Sequence, residues 1–139
     1  MGYAIAEAFR DAGARVTLVS GPVARTAPRG VRMVRVESAR QMLAAMLRES
    51  RGARIIIGTA AVVDYRPARV LTGKMKKTHG PISLRLVRNP DILATLGRRF
   101  SRRGGVLAAR PLLVGFALET SRILPRARAK LRAKHLDYI

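Results

Sequence analysis

A chain of 139 residues with 28 Lys and Arg against 8 Asp and Glu, a net charge of +20, no cysteine and two histidines has no disulfide, thiolate zinc site or cysteine nucleophile, and too few histidines for a histidine-rich metal site. No stretch reaches the roughly 18 uninterrupted apolar residues of a membrane span, and the opening MGYAIAEAFRDAG lacks the charged start and apolar block of a signal peptide. The expectation is a single cytosolic domain, large enough to bury a core.

Ile5, Ala8, Phe9 and Ala12 recur at helical spacing ahead of Gly13, so residues 2 to 13 read as a helix with no visible N-cap. RVTLVS (15–20) and VRMVRV (31–36) read as strands on either side of a proline- and glycine-rich loop. Ser38 opens a helix through about Leu47, with Met42, Leu43, Met46 and Leu47 on one face. ARIIIGTA (53–60) is an apolar strand ending at Gly58, and ISLRLV (82–87) alternates as a strand with one wet face does. PDILATLGRRF reads as a helix with Pro90 in its first turn, PLLVGFA (111–117) as a buried strand, and Ser121 as the cap of a last helix that tolerates Pro125. LDYI opens one more strand. Alternating strands and helices with continuously apolar strands predict a three-layer α/β fold with a mostly parallel sheet. Ligands of such sheets lie beyond the strand C-termini. The loops after Ala60, Val87 and Ala117 should therefore meet near the last helix.

The charge favours polyanions, but twenty-three arginines spread along the whole chain form no arm or repeated face. Three Phe and three Tyr do not interleave with them as a single-strand platform requires. Lysine behaves differently. Its five copies fall in two places, Lys74, Lys76 and Lys77 in GKMKK, and Lys130 with Lys134 on one helix face. A lysine about 4 Å from a phosphate oxygen gains roughly 4 kcal/mol at an effective dielectric near 20, and its flexible stem can follow phosphates as they separate. Two converging lysine groups would suit a triphosphate; a basic tetrapeptide also reads as a solvated loop.

Asp64, just past an apolar strand, could hold a ribose hydroxyl or help hold magnesium, or be a loop acid neutralised by Arg66. Asn89, Pro90 and Asp91 read as a helix start, with Asn89 as N-cap and Asp91 favouring the helix dipole. Phe116 reads more readily as core than as a base-stacking surface, and His79 and His135 as surface residues.

AVVDYRP, GKMKK ten residues after the aspartate, VRNPDIL, VGFALET and ARAKLRAKHLDYI, in this order, together resemble the phosphopantothenate–cysteine ligase (phosphopantothenoylcysteine synthetase) family, the second half of the bacterial bifunctional coenzyme A biosynthesis flavoprotein. The resemblance covers essentially all 139 residues. It implies a Rossmann-like α/β domain, homodimeric in the full-length family, that joins 4'-phosphopantothenate to cysteine with CTP and magnesium through an acyl-cytidylate. By motif, Gly58, Asp64, Lys74, Asn89, Pro90, Asp91, Ile92, Phe116, Lys130 and Lys134 would line the nucleotide site. Lys74 would be the main electrostatic catalyst, and Lys76 and Lys77 would lie on a flap over it. No residue is expected to ligate metal directly, and no flavin is expected in this segment; the resemblance implies a flavin-dependent decarboxylase half fused upstream, as in many bacteria. The family begins with a strand and a glycine-rich loop ending in SSGKMG, whereas this chain begins at Met-Gly and stops within LDYI. It is therefore expected to be a truncated ligase domain, 1–139, lacking the first strand and the C-terminal strands, with impaired ligation. The alternative is an inactive remnant with a basic nucleic-acid-binding surface.

Overall fold

The computed structural model describes residues 1–76, 80–101 and 110–139. In chain order its elements are α1 (Gly2–Asp11), β1 (Thr17–Ser20), β2 (Arg32–Arg35), α2 (Ala39–Glu49), β3 (Ile55–Ile57), β4 (Tyr65–Pro67), β5 (Leu86–Arg88), α3 (Ile92–Ser101), β6 (Leu112–Val114) and α4 (Ile123–Ala133).

Local chemistry accounts for most of the boundaries. The Ser38 hydroxyl accepts from the Gln41 N–H at 3.2 Å while Gln41 Oε1 accepts from the Ser38 N–H at 2.9 Å. This reciprocal capping box starts α2 where the sequence places it. Helix α1 has no side-chain cap, and Gly13 just beyond its C-cap takes φ +85, a left-handed conformation that ends a helix at little steric cost for glycine.

The last two helices start differently from expectation. Pro90 lies outside α3, which begins at Ile92. Ser121 does not cap α4: the N-cap position is Arg122, held at φ 49 and ψ 45 with no side-chain cap bond. Pro125 does fall in the first turn, where its missing N–H has no partner to lose.

Two of the three strand pairs are parallel. β1 pairs with β2 from Thr17↔Arg32 to Ser20↔Arg35, and β3 pairs with β6 from Ile55↔Leu112 to Ile57↔Val114. Where LDYI was expected to open one more strand, a single parallel bridge sets Tyr138 beside Val114 of β6. The third pair, β4 with β5, is antiparallel and unexpected, and only the end of ISLRLV joins it. The core lies where β3 and β6 meet α3. It contains Ile56, Leu96, Phe100, Leu113 and Leu136. Leu96 and Leu113 are fully buried, each stabilising the fold by about 1.5–3 kcal/mol.

Candidate functional site

The C-terminal ends of β3 and β6 are joined by the Gly58 N–H, which donates to the Val114 carbonyl at 2.8 Å. Leu93, in the first turn of α3, fills the space above them. A Cβ on Gly58 would stand 2.6 Å from Leu93 Cδ2, and one on Gly115 would stand 2.8 Å from Leu136 Cδ1. The missing side chain of Gly58 thus lets the start of α3 settle onto the strand ends, and that of Gly115 leaves room for Leu136, just past α4. This geometry gives Gly58 a packing role at the edge where the sequence places the site.

Asn89 and Asp91 divide the work that sequence reasoning gave mainly to Asn89. Asn89 is not the helix cap. Its N–H donates to the Asp64 carbonyl at 2.7 Å, its Nδ2 donates to the Val63 carbonyl at 2.9 Å, and its Oδ1 accepts from Arg66 at 3.2 Å. It ties the segment after β3 to the approach to α3. The cap is Asp91, whose Oδ1 accepts from the Ala94 N–H at 2.9 Å. Ile92 is the first helical residue and packs against the core. Arg66 does not neutralise Asp64, because its guanidinium donates to the Arg88 carbonyl and to Asn89. Asp64 is exposed and makes no ion pair among the described residues.

Helix α4 presents Lys130 and Lys134 one turn apart, each against its own carboxylate. Lys134 Nζ lies 3.0 Å from Asp91 Oδ2, and Lys130 Nζ lies 2.5 Å from Glu119 Oε1. Arg126 adds a second contact to Glu119 at 3.1 Å. Burial opposes ionisation of Asp91, but the Ala94 N–H and the Lys134 ammonium outweigh it and hold its carboxyl below the usual range. Lys130 first, and Arg126 next, lower that of Glu119. The approach of α4 to α3 depends on Gly97, where a Cβ would stand 1.9 Å from the Lys134 carbonyl oxygen.

Sequence reasoning missed both Glu119 and Gly97. One signal for Glu119 was present: an acid just ahead of a helix whose charged residues are all basic. Phe116 is half exposed, at 49%, and so is not a core residue.

Lys74 and Lys76 lie in the connection between β4 and β5, both exposed. Among the described residues neither has a hydrogen bond or an ion pair, so protein contacts do not tie them to α4. Lys77 lies outside the described residues. Asp91 contacts Lys134 directly, and Gly58 meets Leu93, two residues past Asp91 along the chain; Asn89 instead contacts the segment after β3, and Lys130 contacts Glu119. Among the described residues no group of three or more His, Asp or Glu could hold a metal ion. A separate open cleft of about 550 Å³ lies at the ends of β1 and β2, lined by Gly21, Pro22, Arg35, Val36, Glu37 and Gln41. It shares no residue with the predicted site.

Over residues 1–139 the chain matches the family described as DNA/pantothenate metabolism flavoprotein C-terminal domain. It is 44% identical over 139 residues to the coenzyme A biosynthesis bifunctional protein CoaBC of Haemophilus influenzae, covering 100% of this chain and 33% of that protein. It is 45% identical over 140 residues to the protein of the same name from Bacillus subtilis, covering 100% of this chain and 32% of that protein. The chain thus spans about a third of the length of the curated relatives it matches. It also superposes on a crystal structure of the C-terminal domain of CoaBC with a TM-score of 0.79 at 40% identity, covering 98% of this chain and 60% of that one. The α/β, Rossmann-like fold is therefore shared with that domain. By sequence along its whole length and by fold, this chain belongs to the DNA/pantothenate metabolism flavoprotein C-terminal domain family.

Proposed function

We propose that this chain acts in coenzyme A biosynthesis as a phosphopantothenate–cysteine ligase domain that uses CTP. The observation that carries the reading is the lysine pair at the end of α4, Lys134 held by Asp91 ahead of α3 and Lys130 held by Glu119 in the segment after β6. In the proposed reaction the 4'-phosphopantothenate carboxylate attacks the α-phosphorus of CTP, forming an acyl-cytidylate and releasing pyrophosphate. The cysteine amine then attacks the acyl carbon, forms the amide, loses a proton to solvent and displaces CMP.

The residues divide this work by position. Lys130 and Lys134 hold phosphate oxygens from the α4 side. Lys74, on the β4–β5 connection, closes over the phosphates with Lys76 nearby in the same connection. It neutralises charge that grows on the leaving pyrophosphate, and such a preorganised contact contributes about 3 kcal/mol to the rate. Asp64, exposed beyond β3, accepts from a ribose hydroxyl, while the Asn89–Ile92 turn and half-exposed Phe116 bound the nucleoside. Magnesium enters with CTP as part of the substrate, a cation that usually keeps several waters while substrate phosphates and one or two carboxylates bind it.

Homodimerisation belongs to the same proposal. Tyr65 and Leu86 on the β4–β5 pair, and Ile82 and Leu84 in the segment leading into β5, are exposed, apolar side chains that a second copy would cover. The relatives are named as bifunctional, which supports a second activity, such as a decarboxylase, in the same longer protein. Cytoplasmic residence is proposed from the relatives' naming as coenzyme A biosynthesis proteins. No helix among the described residues is long and apolar enough to cross a membrane.

The test is pyrophosphate release from CTP, with 4'-phosphopantothenate and cysteine, by the chain and by Lys74→Ala. The reading requires release that depends on both CTP and Lys74. A basic nucleic-acid-binding remnant would instead bind polyanions with affinity that collapses steeply as salt rises, and would ignore Lys74→Ala.

A further inference from the structure

Glu119 touches no reactant in the scheme above, yet its side chain is only 9% exposed and both of its oxygens are engaged, one by Lys130 and the other by Arg126. Lys130 and Arg126 are neighbours on one face of α4, so a single carboxylate anchored after β6 clamps that face of the helix. The clamp leaves donors over. An ammonium carries three N–H groups; Lys130 places one on Glu119, and its side chain remains 45% exposed.

We propose that Glu119 is a positioning residue for nucleotide binding: it fixes the stem of Lys130 so that the remaining N–H groups face the phosphates. This rests on the CTP reading. Two effects of the carboxylate oppose each other, and their balance is measurable. Its negative charge, taken alone, repels a triphosphate, so removing it should tighten binding. Its hold on Lys130 orients a long, rotatable side chain, so removing it should loosen binding. Arg126 already offsets the charge of Glu119 at 3.1 Å, which leaves orientation as the larger effect.

The affinity of the chain for CTP with magnesium, measured by titration calorimetry, separates these outcomes in a double-mutant cycle of Glu119→Gln and Lys130→Met. Glu119→Gln is expected to weaken binding by roughly tenfold, the scale of one hydrogen bond to a charged group, and to cost nothing further once Lys130 is Met. Unchanged or tighter binding by Glu119→Gln overturns the proposal. So does an equal loss in both backgrounds, which marks a structural role. Should Glu119→Gln not fold, Glu119→Asp keeps the charge but draws Lys130 back; it too must weaken binding, and unchanged affinity overturns the proposal. If Lys130→Met leaves CTP affinity intact, the CTP reading of α4 itself fails.

Discussion

Lys134 and Asp91 are joined 3.0 Å apart, and the same carboxylate that receives the ammonium caps α3 through the Ala94 N–H. One side chain therefore fixes both the start of α3 and the end of α4. Any disturbance of the cap disturbs the lysine.

Asp91→Ala removes cap and counter-ion together. A lost N-cap costs about 1 kcal/mol, so the urea midpoint should fall accordingly. Asp91→Asn, which can still accept from Ala94, should lose much less stability while weakening the hold on Lys134. Equal stability losses for the two variants would contradict this division of roles.

Gly97→Ala should destabilise the chain even though alanine favours a helix interior by about 1 kcal/mol. The added methyl would stand 1.9 Å from the Lys134 carbonyl. That neighbour is backbone and cannot rotate away. Overpacking typically costs about 1–3 kcal/mol, so thermal unfolding should show a lower midpoint than the parent. A raised midpoint would mean that α3 and α4 do not meet at Gly97.

Acid should unfold the protein through its paired carboxylates. Besides Asp91 and Glu119, Asp137 is held below its ordinary value: burial opposes ionisation, but Arg110 and the Leu113 N–H outweigh it. Glu49 is lowered chiefly by Arg48, against burial and with help from Arg32. A folded-state pKa below the unfolded one gives stability that is fully present above the unfolded value. It is lost as the pH falls through the folded value. The urea midpoint should therefore be level near neutrality and fall once the pH drops below about 4, the ordinary carboxylate range. A midpoint that rises on acidification would contradict the four pairings.

Lys74→Ala should separate catalysis from stability. The side chain is exposed and has no partner among the described residues, so stability should change by no more than about 0.5 kcal/mol. Loss of one preorganised electrostatic contact lowers turnover by about 100-fold. Parallel measurements of CTP-dependent pyrophosphate release and urea unfolding check both halves.

What the sequence disclosed follows the range of the forces involved. The Ser38–Gln41 capping box and the apolar runs at Ile55–Ile57 and Leu112–Val114 are local signals, and they are legible because propensity and pattern agree over a few neighbouring residues. β4 was hidden because Tyr65–Pro67 holds a charged residue and a proline, which cannot donate to a ladder; its pairing depends on β5, some twenty residues away. Asn89 and Asp91 are both good caps by residue type, and only the backbone path decides that Asp91 reaches Ala94. Gly97 takes its meaning from Lys134, a contact between distant parts of the chain that no short window contains, whereas Glu119 lies only seven residues from Arg126 and was legible as an acid ahead of a basic helix.

The central claim is that lysines from the β4–β5 connection and from α4 surround one nucleoside triphosphate. A crystal structure of the chain with CTP and magnesium measures it directly. The account predicts Lys74, Lys130 and Lys134 Nζ each within about 3 Å of phosphate oxygens of the same CTP. CTP seated in the Arg35–Gln41 cleft, or on α4 with Lys74 turned away into solvent, would contradict it.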